Sequence, residues 1–375
     1  MTASTTLFLC GDVMPGRGID QILPHPGSPQ LFEPRIKSAL EYVELAERAN
    51  GPIARPVPFD YIWGIALDEL GKMQPDVRII NLETAVTTSN EAWPGKGILH
   101  RMHPANAPCL TAARIDCCVL ANNHVLDWGY TGLTETLATL QDNGIRTAGA
   151  GRNATEAAAP AIIPLAGRRR VLVIGLCETD SGVRRDWAAA RRRPGVNLLV
   201  RYLSPATTDE IARQVKTVKR PGDVVVASIH WGASWGFAVP SEQRAFAQRL
   251  IDSAAIDVIH GHSSHNLKGI EVYRGKLILY GSGDFLDDAE GLGGPEQYRP
   301  ELAMMYLPTL DPASGRLQRL VMTPARKRQM RVVAASEEDR AWLLAMLNRE
   351  GQKLGTQIES GPDHQLTLRW VSSRV

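Results

Sequence analysis

Short apolar runs alternate with amphipathic stretches along this chain. Leu7–Cys10 and residues 77–82, 115–120, 171–175, 223–230 and 256–260 are rich in Val, Ile and Leu. They are too short for buried helices, so they read as strands. Between them, apolar positions recur every three or four residues. Ile62, Ile65, Ala66 and Leu70 predict a helix near 60–73, and Leu133, Leu137 and Leu140 predict another over 129–143. Gly144 stops the second. Further helices are expected near 36–49, over 106–113, from about 155, and over 207–219, 242–254 and 336–350. Ser336 caps the last, with Asp339 three residues on. Residues 270–280 read as a hairpin turning at Arg274 and Gly275. The alternation predicts an α/β fold with covered sheet faces.

The strands share an unusual ending. The first runs into Gly11 and Asp12, the second into Asn81 and Glu83, and the third into Asn122, Asn123, His124 and Asp127. Later strands end in His230, and in His262 with His265. In open α/β sheets, ligands bind beyond the carboxyl ends of strands. Several oxygen and imidazole endings point to one metal site at a sheet edge, suited to a hard or borderline divalent cation. Gly149 and Gly151 form a turn that suits an anion, although such pairs are usually only turns.

Composition changes this picture little. A net charge of +2 argues against nucleic acid as partner, and the triplets at 168–170 and 191–193 read as solvated loops. Five cysteines with no CxxC pair read as buried thiols in a reducing compartment. The first residues lack a basic stretch followed by a long apolar one, and no run approaches the roughly 18 residues of a spanning helix. A cytoplasmic protein without a membrane partner is expected.

Gly11-Asp12, Asn81 to Glu83, Asn122 to Gly129, His230 to Gly232, Gly261 to His265 and Tyr280 to Phe285 follow in order the motifs of the CapA/PgsA-type poly-γ-glutamate proteins. The chain resembles that family over roughly residues 6 to 290. The family is similar to the calcineurin-like metallophosphoesterases. The resemblance implies a β-sandwich flanked by helices with a metal centre at one end. It implies a single domain over 1–375, with 18–58 as a surface excursion and 300–375 completing the fold. Carried over by position, Asp12, Glu83, Asn123, His230 and His262 are the implied ligands. His124 is the implied acid/base group oriented by Asp127, and His265 a further ligand or acid/base group. Met14 stands where the phosphoesterase pattern has a histidine, Gly-His-x-x-His replaces Gly-His-x-His, and Asp284 replaces an asparagine. One or two ions of Ca²⁺, Mg²⁺ or Mn²⁺ are compatible with the set.

Arg101 to Pro104 and the wording of 261–265 also resemble the metal-dependent lasso-peptide epimerase. Inverting an α-carbon needs two acid/base groups. His124 with Asp127, and His265 or His103 with Asp12 or Asp284, are candidate pairs. Arg17 or Arg101 would hold a terminal carboxylate, and Trp231 and Trp235 would line a pocket, although packing at the sheet edge is the commoner role of such tryptophans. A peptide epimerase is therefore the first expectation. A hydrolase of phosphoester or γ-glutamyl bonds is the second, and a non-catalytic capsule-assembly subunit the third.

Overall fold

The computed structural model describes residues 4–199 and 204–371. Two sheets face each other. In the first, Val77–Leu82 is central and parallel to Thr5–Cys10 and Asp12–Val13 on one side and to Cys117–Val119 on the other. Leu302–Leu310, Leu317–Arg328, Leu366–Trp370 and Thr356–Ser360 extend this sheet antiparallel beyond Thr5–Cys10. The second sheet runs Ile270–Tyr273, Lys276–Leu279, Val258–His262, Val224–His230, Arg170–Cys177, Ala161–Pro164. Its four inner strands are parallel.

The period-2 alternation of side chains divides each strand of the second sheet between two cores. Val171, Val173, Val224, Val226 and Val258 point inward, to the core shared with the first sheet. Leu172, Ile174, Leu176, Val225, Ala227, Ile229 and Ile259 point outward. Helices Pro205–Val218 and Ser241–Ala254 cover them, through Ile211, Val215, Phe246 and Leu250 among others. Such two-sided burial explains why these strands read as continuous apolar runs. The expected sandwich with helices outside is the architecture the chain adopts.

Most expected helices form close to their predicted places, among them Gly129–Asp142 and Glu337–Gly351, the latter with both arms of a capping box at Ser336 and Asp339. The helix expected over 60–73 is broken. Gly64 takes φ 45°, and a Cβ there would lie 2.0 Å from the Val332 carbonyl oxygen. The chain forms a short 3₁₀ turn Tyr61–Trp63 and then Ile65–Met73. Residues 18–58, expected as a surface excursion, instead bury Ile19, Ile22, Tyr42 and Val43 in the main core. The glycines at 149–151 serve packing: a Cβ on Gly149 would meet Gly175 Cα at 2.8 Å, and one on Gly151 would meet Ala157 N at 2.5 Å. All five cysteines are free and buried. Among the described residues, no helix is long and apolar enough to cross a membrane.

Candidate metal centre

Five strand ends converge. The backbone breaks step at Gly11, so that Asp12 pairs with both Asn81 and Asp284. A Cβ on Gly11 would lie 2.0 Å from Gly283 O, so this crossing of two strand ends requires glycine. Asp12, His230 and His262 are buried and offer ligand atoms all within 4.8 Å of one another. Glu83 is equally buried, and its Oε1 lies 3.9 Å from His230 Nε2 and 3.8 Å from His124 Nε2. Asn123 Oδ1 is 3.1 Å from His230 Nε2. The five residues expected as ligands are thus neighbours in space.

Two observations fit this cluster to a cation. Among the described residues, the buried Glu83 Oε2 has no hydrogen-bond partner, and an orphaned carboxylate oxygen is costly unless something positive faces it. The carboxylates also crowd each other. Burial and Asp284 push Asp12 up to about 6, and burial and Asp12 push Glu83 well above its ordinary range. A divalent ion would relieve both. Burial holds His230 down to about 3 and His262 well below the usual imidazole range, so both are neutral donors, as ligation requires.

The supports behind the cluster are equally specific. Ser228 Oγ lies 3.0 Å from both His262 Nε2 and His260 Nδ1, and His260 Nε2 lies 2.7 Å from the Cys10 carbonyl oxygen. Asn81 donates to Asp12 Oδ1 at 2.7 Å, and Asn122 donates to Asn81 at 3.1 Å. Ser263 takes φ 91°, uncommon for a residue with a side chain, and its N–H donates to Asp12 Oδ2 at 3.1 Å.

Two His/Asp pairs border the cluster. His124 Nδ1 is 2.6 Å from Asp127 Oδ2, and Lys96 reaches the same corner, 3.0 Å from His124 Nδ1 and ion-paired with Asp127. Burial and then Lys96 hold His124 well below its usual range, and burial lifts Asp127 to about 7. His265 Nδ1 is 3.0 Å from Asp284 Oδ1, with Lys327 3.9 Å from the other carboxylate oxygen. Asp284 pushes His265 up to about 9. Burial raises Asp284, but His265 and Lys327 outweigh it and hold the carboxyl below its ordinary value. The His124 side chain is 10% exposed and that of His265 31%, so the cluster opens more on the His265 side.

Other candidates do different work. Arg17 is tied to Glu33, Asp288 and the Tyr42 hydroxyl, which leaves no fork for a substrate carboxylate. Arg101 stacks on Trp128 at 3.8 Å and donates to Ser89, Asn90 and Ser28. His103 caps the turn Pro104–Asn106 through Nδ1 and pairs with neither Asp12 nor Asp284. Trp231 is a core residue whose Nε1 donates to Tyr280 O, whereas Trp235 is exposed beside His265. Lys96, Ser228 and Lys327 were not expected, nor was His100, whose N–H donates to Asp127 Oδ2 at 2.6 Å. Lys96 and Lys327 lie far along the chain from the carboxylates they meet, and nothing periodic marks them.

Residues 6–289 match the family model described as bacterial capsule synthesis protein PGA_cap. The chain is 48% identical, over 97% of its length and 95% of the relative's, to a probable polyglutamine synthesis accessory protein of Mycobacterium tuberculosis. It is 26% identical to the PGA biosynthesis protein CapA of Bacillus subtilis, covering 74% of this chain and 62% of that one. Among solved structures, the calcineurin-like phosphoesterase YfkN of Bacillus subtilis aligns with 94% of this chain and 99% of its own, at 10% identity and a TM-score of 0.43. With the shared family model spanning every strand end that builds the cluster, the chain belongs to the bacterial capsule synthesis protein PGA_cap family.

Proposed function

We propose that this protein is a metal-dependent hydrolase of amide bonds in a γ-glutamyl polymer, acting beside the synthesis of that polymer. The observation that carries the chemistry is the buried cluster of Asp12, His230 and His262, with Glu83 beside it, one of whose carboxylate oxygens has no hydrogen-bond partner among the described residues. The names of the relatives support the polymer. A divalent cation held by these residues with Asn123 would supply an acidified water and polarise the scissile carbonyl.

The chain's own groups divide the proton work. His124, kept neutral by burial and Lys96, has Nε2 turned toward Glu83 and can take a proton there. Asp127 fixes its ring from behind through Nδ1. His265, kept charged by Asp284, can give a proton to the departing amine. A neutral imidazole and an imidazolium beside one cluster form the pair that amide hydrolysis needs.

The test is incubation with γ-linked glutamate oligomers, with and without added Mg²⁺, Mn²⁺ or Ca²⁺, read by mass spectrometry. Shortened chains that vanish on His124→Ala support the reading. Intact chains beside turnover of a generic phosphodiester would replace it with phosphoester hydrolysis.

One observation favours a second reading. The two His/Asp pairs are separate and border the same cluster, as inversion of an α-carbon in a peptide demands. Exchange of the α-hydrogen in D₂O without chain cleavage would select peptide epimerisation.

A further inference from the structure

The open side of the cluster is walled by a short loop, residues 232–240. It is anchored on the His265 segment: His265 N donates to Ser234 O at 2.8 Å, and Gly236 N donates to Asn266 Oδ1 at 2.9 Å. At its tip Trp235 is 36% exposed, and its ring lies 5.3 Å from that of His265. Behind it the rings continue. Tyr298 stacks on Trp235 at 5.8 Å and 19°, and Phe237 meets Tyr298 edge-on at 5.0 Å. Trp342 of the helix Glu337–Gly351 follows at 6.5 Å from Phe237. An exposed tryptophan held rigid beside a titrating side chain presents a flat face for amide planes and methylene groups.

Lys268 lies beneath the same loop. It is only 4% exposed, and its stem packs along Gly281. Among the described residues its ammonium makes one long contact, 3.4 Å to the Ala238 carbonyl oxygen. Among the described residues, no carboxylate lies within ion-pair distance of it. Asp180, whose charge acts on Lys268, accepts from Gly232 N. A nearly buried ammonium without a counter-charge is costly, and burial already pulls Lys268 below the ordinary lysine range. An anion arriving under the loop would complete it.

We propose that Trp235 and Lys268 form a substrate subsite for an amide-linked chain bearing carboxylates, in which Trp235 carries the chain and Lys268 takes one carboxylate. This rests on the polyamide reading above. It names the residues that would make a carboxylate polymer, rather than a neutral one, the preferred substrate.

The test measures binding, not turnover. A short γ-linked glutamate oligomer and its side-chain-amidated counterpart are titrated into metal-loaded wild type, Trp235→Ala and Lys268→Gln, by calorimetry. Wild type binds the carboxylate form more tightly. Trp235→Ala weakens both ligands roughly tenfold. Lys268→Gln weakens only the carboxylate form, by roughly ten- to a hundredfold, and erases the preference. Equal weakening of both ligands by Lys268→Gln gives it a structural role and overturns its assignment. Unchanged binding in both variants, or no binding by wild type, overturns the subsite. Binding in this pattern without cleavage sinks the hydrolase and leaves the subsite. Cleavage with unaltered KM in both variants does the reverse.

Discussion

The Nδ1 atoms of His230 and His262 lie 2.9 Å apart, and Asp12 Oδ1 lies 3.7 Å from the same nitrogen of His262. Only one proton fits between two such nitrogens, and a cation facing both removes the need for it. Chelation should therefore lower the melting temperature. Ligand binding stabilises by about 2.7 kcal/mol when free metal exceeds its dissociation constant a hundredfold. Calorimetric scans with and without chelator check this. In His262→Ala the two scans should coincide, and elemental analysis should find less metal.

Proton transfer by His124 should depend on its two partners unequally. His124→Ala should reduce kcat by roughly 10²–10⁴. Asp127→Asn should approach that loss, because the ring loses its acceptor at Nδ1. Lys96→Met should cost less and leave metal content unchanged. Full activity in Asp127→Asn would separate the pair from the chemistry.

His260 predicts an acid limb of stability. It is buried between Ser228 and the Cys10 carbonyl, and burial lowers it to about 4. The unfolded imidazole binds protons near 6.5, so the folded state binds fewer between 6.5 and 4 and loses stability as pH falls across that window. The loss attributable to this group is about 3 kcal/mol. Asp12 acts with the opposite sign, since its carboxyl is raised: its contribution is present below about 4 and lost as pH rises through about 6. Urea midpoints at pH 7 and 4.5 should therefore show a smaller drop in His260→Asn than in wild type. An equal drop would remove His260 from the account.

His265 should remain charged well past neutrality. Asp284 raises it to about 9, so its stabilising contribution is complete below about 6.5 and is lost as pH rises through 9. Imidazole proton NMR should show this resonance titrating far above that of His260. Asp284→Asn should return it toward 6.5. A His265 that titrates near 6.5 in wild type would break the proposed division of acid and base.

Much of this arrangement was legible before folding. Buried parallel strands must be apolar throughout, so a polar residue at the end of one stands out, as Asp12, Glu83 and His230 do. The second His/Asp pair was one of several pairings left open, and distance alone chose Asp284 for His265. Lys96 was invisible because it sits on an irregular stretch and meets Asp127 only through the fold. Lys327 was hidden differently. It lies on Leu317–Arg328, in the part of the chain expected only to complete the fold, yet it steadies Asp284. Gly11 stood in the sequence only as the residue before Asp12, although its lack of a side chain is what lets Asp12 stand against Asp284.

Ile229 and His230 are neighbours that look in opposite directions, one into the outer helical layer and the other into the metal cluster. The outer layer is therefore a lever on chemistry it never touches. A truncation such as Ile229→Ala, which in a buried core costs about 2–5 kcal/mol, would let the strand settle outward and drag an imidazole with it. Tuning of this protein, whether by drift or by design, need not pass through the polar residues at all.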